Sequence, residues 1–238
     1  SMEHNSSEEI AYTGRELMQK MVEKVGSYSD LWNKKDVIYT YTYITPDGST
    51  DISTEKYLFE GELSSGLYHR HERTFPDLEG PIEQGYDGRE FWLKHDGVIV
   101  DNEQILNGVT FNRSTNFYWF AMMQKLLDPG VNHEYLGETR MNQKDYHVIK
   151  ITFNQVGNKP TDIYQLYLNK ETFMVDQFLF TIVDKGMVDT PMLMELEYEK
   201  IDGMLIPTNR RYKKSNWSAV VTTAPWIEVK WSDIQFNN

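Results

Sequence analysis

The chain has no cysteine among its 238 residues. That absence excludes disulfide staples, thiol nucleophiles and cysteine–zinc sites. No run of 18 apolar residues occurs, so no segment reads as a transmembrane helix. Positive charge is in short supply: 24 Lys and Arg stand against 36 Asp and Glu, a formal net charge of −12. A balance of that sign argues against nucleic acid as a partner and against electrostatic adhesion to anionic membranes. There is no Gly-x-Ser-x-Gly nucleophile elbow, and the Gly85-Tyr-Asp-Gly88 text reads as a hairpin turn, not a phosphate cradle. Linkers, charge blocks and internal repeats are also missing, so residues 1–238 read as one domain with one core. Residues 1–6, opening on Ser-Met, read as an expression scar and polar leader; a signal sequence or lipid-anchored cysteine would lie upstream of them.

What the chain has in quantity is aromatic surface and alternation. Aromatic residues make up 13%, with 15 Tyr and 6 Trp, a composition that favours strands and amphipathic pockets. Residues 145–213 read as consecutive strands. In 145–153, His147, Ile149, Ile151 and Phe153 share a face; in 162–169, Tyr164, Leu166 and Leu168 do; in 175–184, Phe178, Phe180 and Ile182 do. In 192–200, Met192, Met194, Leu196 and Tyr198 oppose Glu195, Glu197 and Glu199. Side chains alternate faces along a strand, so a period of two predicts a sheet with one apolar and one wet face. Turns at Lys185-Gly186 and Asp202-Gly203 separate the runs.

Earlier in the chain, residues 7–25 predict an amphipathic helix capped by Ser6 or Ser7, with Ile10, Leu17, Met18, Met21, Val22 and Val25 as its stripe. Strands are expected over 37–45, 51–63, 67–75, 82–86 and 90–95, with a short continuation at 98–101 and a last strand over 225–236. Residues 114–127 predict a helix stopped by Asp128-Pro129-Gly130. It is apolar nearly all round, so it must either plug the core over the sheet or wall an apolar cavity, and it can do both. Ten or eleven strands are too many for a flat sheet, which predicts curling into a partial or full barrel with helices, a mainly β, α+β fold.

Catalytic chemistry is thinly represented. His69 and His71 point to one face of a strand, a spacing that metal sites use, and a metal-dependent enzyme built on them is one reading. No second ligand motif supports it, and two histidines on a strand rim are the plainer reading. Arg210, Arg211, Lys213 and Lys214 form the one basic cluster, read as a strand end at the surface that could also dock an anion or a partner. No catalytic residue, metal or cofactor is assigned, and the expectation is a protein that is not an enzyme.

Several stretches carry a resemblance: Gly85-Tyr-Asp-Gly88 with Trp92, the text from Asn116 to Gly130, Thr161 to Thr172, Val175 to Phe180, and Asp202 to Pro207. Through them the chain resembles the LolA/LolB-like superfamily of lipoprotein carrier-like envelope proteins, and within it a family of unknown function from the Bacteroidetes group. The resemblance implies an unclosed antiparallel β-barrel whose concave apolar face is covered by helices. It also implies a periplasmic or cell-envelope location, with or without a lipid anchor, an acyl chain, lipid or lipoprotein as the bound molecule, and no cofactor. Together with the alternation it points to Trp119, Phe120, Met122, Met123 and Leu126 on the helix as ligand-binding residues. Tyr57, Phe59, Trp92, Tyr164, Leu166, Phe178, Phe180, Met192 and Met194 are the corresponding expectation on the sheet. The alternative is a scaffold or sensor domain whose interior is filled by its own side chains and which meets an envelope protein partner. Oligomeric state is not readable from the sequence.

Overall fold

One antiparallel sheet carries most of the chain in the computed structural model, which describes residues 11–237. Its strands are β1 (Asp36–Ile44), β2 (Thr50–Leu58), β3 (Leu63–His71), β4 (Ile82–Tyr86), β5 (Phe91–His95) and β6 (Val98–Ile99), then β7 (Val131–Met141), β8 (Lys144–Phe153), β9 (Tyr164–Asn169), β10 (Val175–Ile182), β11 (Met187–Ile201), β12 (Met204–Lys214) and β13 (Ile227–Phe236). The order across the sheet is β6-β5-β4-β3-β2-β1-β13-β12-β11-β10-β9-β8-β7. It is therefore a meander in two halves, sewn together where β1 pairs with β13. The two edge strands, β6 and β7, are neighbours in sequence but not in the sheet, so the barrel stays unclosed. The helix α3 (Glu103–Lys125) spans that gap. Register shifts in the β1/β13, β2/β3, β7/β8 and β11/β12 pairs mark bulges, which increase local twist and help the sheet curl.

Local chemistry accounts for the element ends. The helix α1 (Gly14–Val25) starts at a capping box, with the Thr13 hydroxyl accepting from the Glu16 N–H and the Glu16 carboxylate accepting from the Thr13 N–H, both at 3.1 Å. The expected cap at Ser6 or Ser7 lies outside the described residues, as does the leader 1–6; Thr13 takes the role because its side chain reaches the orphan N–H of the first turn. The stripe Leu17, Met18, Met21, Val22 and Val25 is buried as expected. A short helix, α2 (Tyr28–Trp32), follows. At the β11–β12 hairpin both Asp202 and Gly203 take positive φ (48° and 81°), the geometry a two-residue turn needs.

Three expectations require correction. Helix α3, expected from 114, runs from Glu103 because Asn102 caps it by accepting from the Ile105 N–H at 3.1 Å; its first turns carry a sparser apolar stripe, Ile105, Leu106 and Val109, than the run that follows. The third strand begins at Leu63, where a tight turn with Gly61 at φ 75° ends β2 early. The convex face is not uniformly wet. Tyr146, Val148, Tyr167, Leu179 and Leu193 form a buried cluster there with Ala219, and Trp226 packs against it, so the segment between β12 and β13 folds back over the outside of the sheet.

The concave side holds two larger clusters. One joins α1 and the end of α3 to β8–β11; the other joins Phe117, Phe120 and Ala121 of α3 to β1, β2, β12 and β13. Between α3 and the sheet lies a fully buried ion pair. Arg113 donates to both oxygens of Glu55 on β2 at 3.0 Å, and also to the Tyr68 hydroxyl at 3.0 Å. Asn116, nearly one turn on, donates to the same carboxylate at 2.7 Å. Burial opposes the charge on Arg113, but the Glu55 carboxylate outweighs it and raises the pKa of the guanidinium. Gly66 on β3 leaves the room: a Cβ there would sit 2.2 Å from Glu55 Oε2 and within 2.9 Å of both Arg113 terminal nitrogens.

Removing one partner of such a pair strands a buried charge. Glu55→Leu is expected to lose about 3–5 kcal/mol in urea unfolding, and adding Arg113→Met to recover most of that loss. Gly66→Ala is expected to cost about 1–3 kcal/mol in the same measurement, because neither charged group has room to move away. A single Glu55→Leu variant as stable as the parent would show that the pair does not anchor the helix.

Candidate ligand-binding cavity

Between α3 and the centre of the sheet the side chains leave a cavity of about 660 Å³. Its wall on the helix runs from Phe111 to Trp119, the more polar half of α3. The apolar stretch Phe120 to Met123 lies instead over the packed clusters. The sheet contributes Tyr41 and Tyr43 (β1), Tyr68 (β3), Tyr164 (β9), Phe180 (β10), Met194 (β11), Arg210 and Tyr212 (β12), and Val229 and Trp231 (β13). The mouth is framed by the loop before β9, with Asn154, Val156 and Lys159, by Asp184 and Lys185 after β10, and by Arg73 after β3. These mouth residues are exposed, whereas Phe180, Met194, Arg210 and Trp231 are buried.

The aromatic wall is continuous. Trp119 lies 5.2 Å from Phe180, 5.6 Å from Phe178 and 6.1 Å from Tyr164, centre to centre. Offset and edge-to-face contacts at such distances hold rings rigidly. The hydroxyls of Tyr43 and Tyr212 bond each other across the sheet. Asp51 fastens the loop after β3: it accepts from the Thr74 hydroxyl at 2.6 Å and the Arg73 N–H at 2.9 Å, while the Arg73 guanidinium stands 3.6 Å from it and over the Tyr43 ring. On the other side Asp162 accepts from the Thr181 hydroxyl at 2.8 Å and the Val183 N–H at 2.9 Å.

The electrostatics of the walls are those of a dry site. Burial raises the Tyr41 and Tyr212 phenols and pushes Tyr68 up to about 12. Burial likewise raises the Asp162 carboxyl against the pull of its two hydrogen bonds. Each shift favours the neutral form, as a low-dielectric surrounding does.

Of the residues expected to bind ligand, Trp119, Tyr164, Phe180 and Met194 line the cavity. Met122, Met123, Leu126, Leu166, Phe178 and Met192 sit in the cluster beneath α1, packed against other side chains. Tyr57, Phe59 and Phe120 belong to the neighbouring cluster, where Phe120 contacts the rings of Tyr39, Tyr57, Phe59 and Trp231. Trp92 is on the convex face, lying across Gly85, while its neighbour Leu93 points inward to Val109. The cavity residues that sequence reasoning missed are chiefly the aromatic row of β1 and β13, together with Arg73 and Arg210. For Arg210 a signal existed: it continues the inward row Met204, Ile206, Thr208, so the alternation itself placed a charge inside.

The basic cluster is accordingly corrected. Arg210 and Lys213 are buried, on opposite faces, with Lys213 donating to the carbonyls of Thr222 and Ala224 at 2.7 and 2.9 Å; Arg211 is exposed and paired with Glu195. The histidine pair is also accounted for. His69 bonds the Thr54 hydroxyl at 2.9 Å, and both ring nitrogens of His71 meet carbonyls, those of Thr74 and Gly80. Among the described residues no group of three or more His, Asp or Glu side chains is arranged to hold a metal. No described helix is long and apolar enough to cross a membrane.

Comparison with known proteins agrees with this architecture. A family model described as a family of unknown function (DUF6503) matches residues 97–190, from β6 through α3 to β11. No curated protein matches the chain. Among solved structures it is similar to a LolA superfamily protein from Nitrosomonas europaea, at 15% identity and a TM-score of 0.54 over 96% of this chain and 95% of that one. A DUF1329 family protein from Desulfovibrio piger is 15% identical with a TM-score of 0.53, over 94% and 92% of the two chains. A domain from Vibrio parahaemolyticus, described as a candidate outer membrane lipoprotein-sorting protein, is 12% identical with a TM-score of 0.52 over the same shares. Likeness at these identities speaks to the fold, and the unclosed antiparallel barrel with helices in its concave side is the LolA-like fold.

Proposed function

We propose that this protein is a non-enzymatic binding protein of the bacterial envelope that holds an acyl-type ligand between α3 and the sheet. The observation that carries the reading is the cavity itself. At about 660 Å³ it falls within the range of roughly 300–1,000 Å³ typical of small-molecule sites. Its inner walls are mainly aromatic and thioether side chains with one buried arginine, Arg210, and its mouth is polar. An apolar chain entering it would gain about 0.8 kcal/mol for each methylene withdrawn from water. A scaffold with a self-filled interior would have no need of such a space. The envelope location rests on the shared fold, one of whose bearers is described as a candidate lipoprotein-sorting domain.

The test is binding of an uncharged apolar dye, Nile red, to the full chain and to Met194→Trp. Met194 lines the cavity on the interior strand β11, so an indole there fills space without touching the Glu55–Arg113 anchor. The parent protein is expected to bind the dye with a blue-shifted emission. The variant, with its thermal transition retained, is expected to bind at least about ten-fold more weakly, the loss of roughly two buried methylenes' worth of contact. A parent that fails to bind the dye would move the assignment to the scaffold reading, and a folded variant that binds unchanged would place the ligand elsewhere.

A further inference from the structure

The chain has two buried arginines facing its interior, and they differ in one respect. Arg113 has its charge met by Glu55 at 3.0 Å. Arg210, only 5% exposed, has no carboxylate within 4 Å among the described residues. Its Nε donates to the Pro207 carbonyl at 3.1 Å, and one terminal nitrogen, Nη2, donates to the Trp119 carbonyl at 2.9 Å. The other terminal nitrogen, Nη1, finds only the thioether sulfur of Met194, at 3.9 Å. A guanidinium has five N–H groups in a planar fork, so most of this one's donor capacity has no oxygen to meet. Beneath it lies the Trp231 ring, 4.0 Å from the guanidinium carbon. The indole Nε1 of Trp231 is also buried and has no hydrogen-bond partner among the described residues. Both residues line the cavity, next to Met194 and Tyr212.

An unneutralised guanidinium in a dry wall is costly, and burial brings the Arg210 pKa down to about 10. Packing alone would be served as well by Met or Leu in the inward row. The two groups are both donors, so neither can satisfy the other; what satisfies both is an acceptor carrying negative charge. The spare charge is single. A carboxylate carries one negative charge, is planar, and matches a guanidinium fork with two parallel hydrogen bonds.

We propose that Arg210, with Trp231 beside it, is the head-group subsite of the cavity and that the ligand is a long-chain carboxylate, bound with its carboxylate at Arg210 and its chain against Trp119, Phe180 and Tyr164. This inference rests on the cavity reading above and specifies the ligand class for it. It makes the site select against uncharged lipids of equal length, because a neutral head would leave the buried cation unmet.

The experiment is calorimetric titration of the full chain with hexadecanoate, hexadecanol and hexadecyl phosphate below their aggregation limits, with Nile red binding measured in parallel. The parent is expected to prefer hexadecanoate over hexadecanol by at least about ten-fold, the scale of a hydrogen bond to a charged group. In Arg210→Met, with its thermal transition retained, that preference should fall to near one. Should that variant not fold, Arg210→Lys keeps the charge and loses the fork, and should lower the preference without abolishing it. Equal binding of acid and alcohol by the parent, with the dye still bound, overturns the carboxylate subsite and leaves the cavity reading intact. Tighter binding of hexadecyl phosphate than of hexadecanoate overturns the assignment to a carboxylate. Failure of the dye and all three lipids to bind overturns the cavity reading and this one with it.

Discussion

The architecture depends on a single buried contact, the ion pair between Glu55 and Arg113. A sheet that does not close leaves an open concave side, and one helix has to cross it between the two edge strands. Apolar packing holds a helix against a sheet but discriminates poorly between neighbouring rotations about its axis. A bidentate charge pair in a dry interior does discriminate, because a small rotation of α3 would part the guanidinium from its carboxylate at several kcal/mol. Asn116 and Tyr68 add hydrogen bonds to the pair, and Gly66 provides the space. The position of Trp119 over β9 and β10, and of Phe120 over β1 and β13, follows from that setting.

The helix changes its role along its length. Where its side chains are mixed polar and aromatic it borders the cavity, and over Phe120 to Met123 it closes the core. The clusters on either side of the cavity supply the rigidity that keeps it open. Interlocked rings such as Trp119 with Phe180, and Phe120 with Trp231, have little freedom to collapse into the space between them. The two arginines express the same division. The compensated one stabilises structure, and the uncompensated one faces the space where a ligand would sit.

Much of the fold was legible beforehand because strands announce themselves through a period of two. The strands from Lys144 onward, the Asp202-Gly203 turn and the buried stripe of α1 all follow from local pattern and turn chemistry. The start of α3 was missed: residues 103–113 carry only a sparse apolar stripe, Ile105, Leu106 and Val109, interrupted by Asn107 and Gly108, and a cap residue such as Asn102 is common in loops. The covering of the convex face by Ala219 and Trp226 was also hidden, since it arises from residues far apart in sequence.

The binding site divides along the same line. Alternation by itself determined that Tyr164, Phe180 and Met194 face inward, and equally that Leu166, Phe178 and Met192 do. It could not separate those that meet a partner from those that meet a space, because a period states which face a side chain takes and nothing about what stands opposite. That was decided only when α3 was fixed over the sheet, which packs Phe120 to Met123 onto the core and leaves a space beside Trp119. Arg210 shows the point most clearly. Its place in the inward row was written in the chain, but only the tertiary structure decided that no carboxylate would stand opposite it.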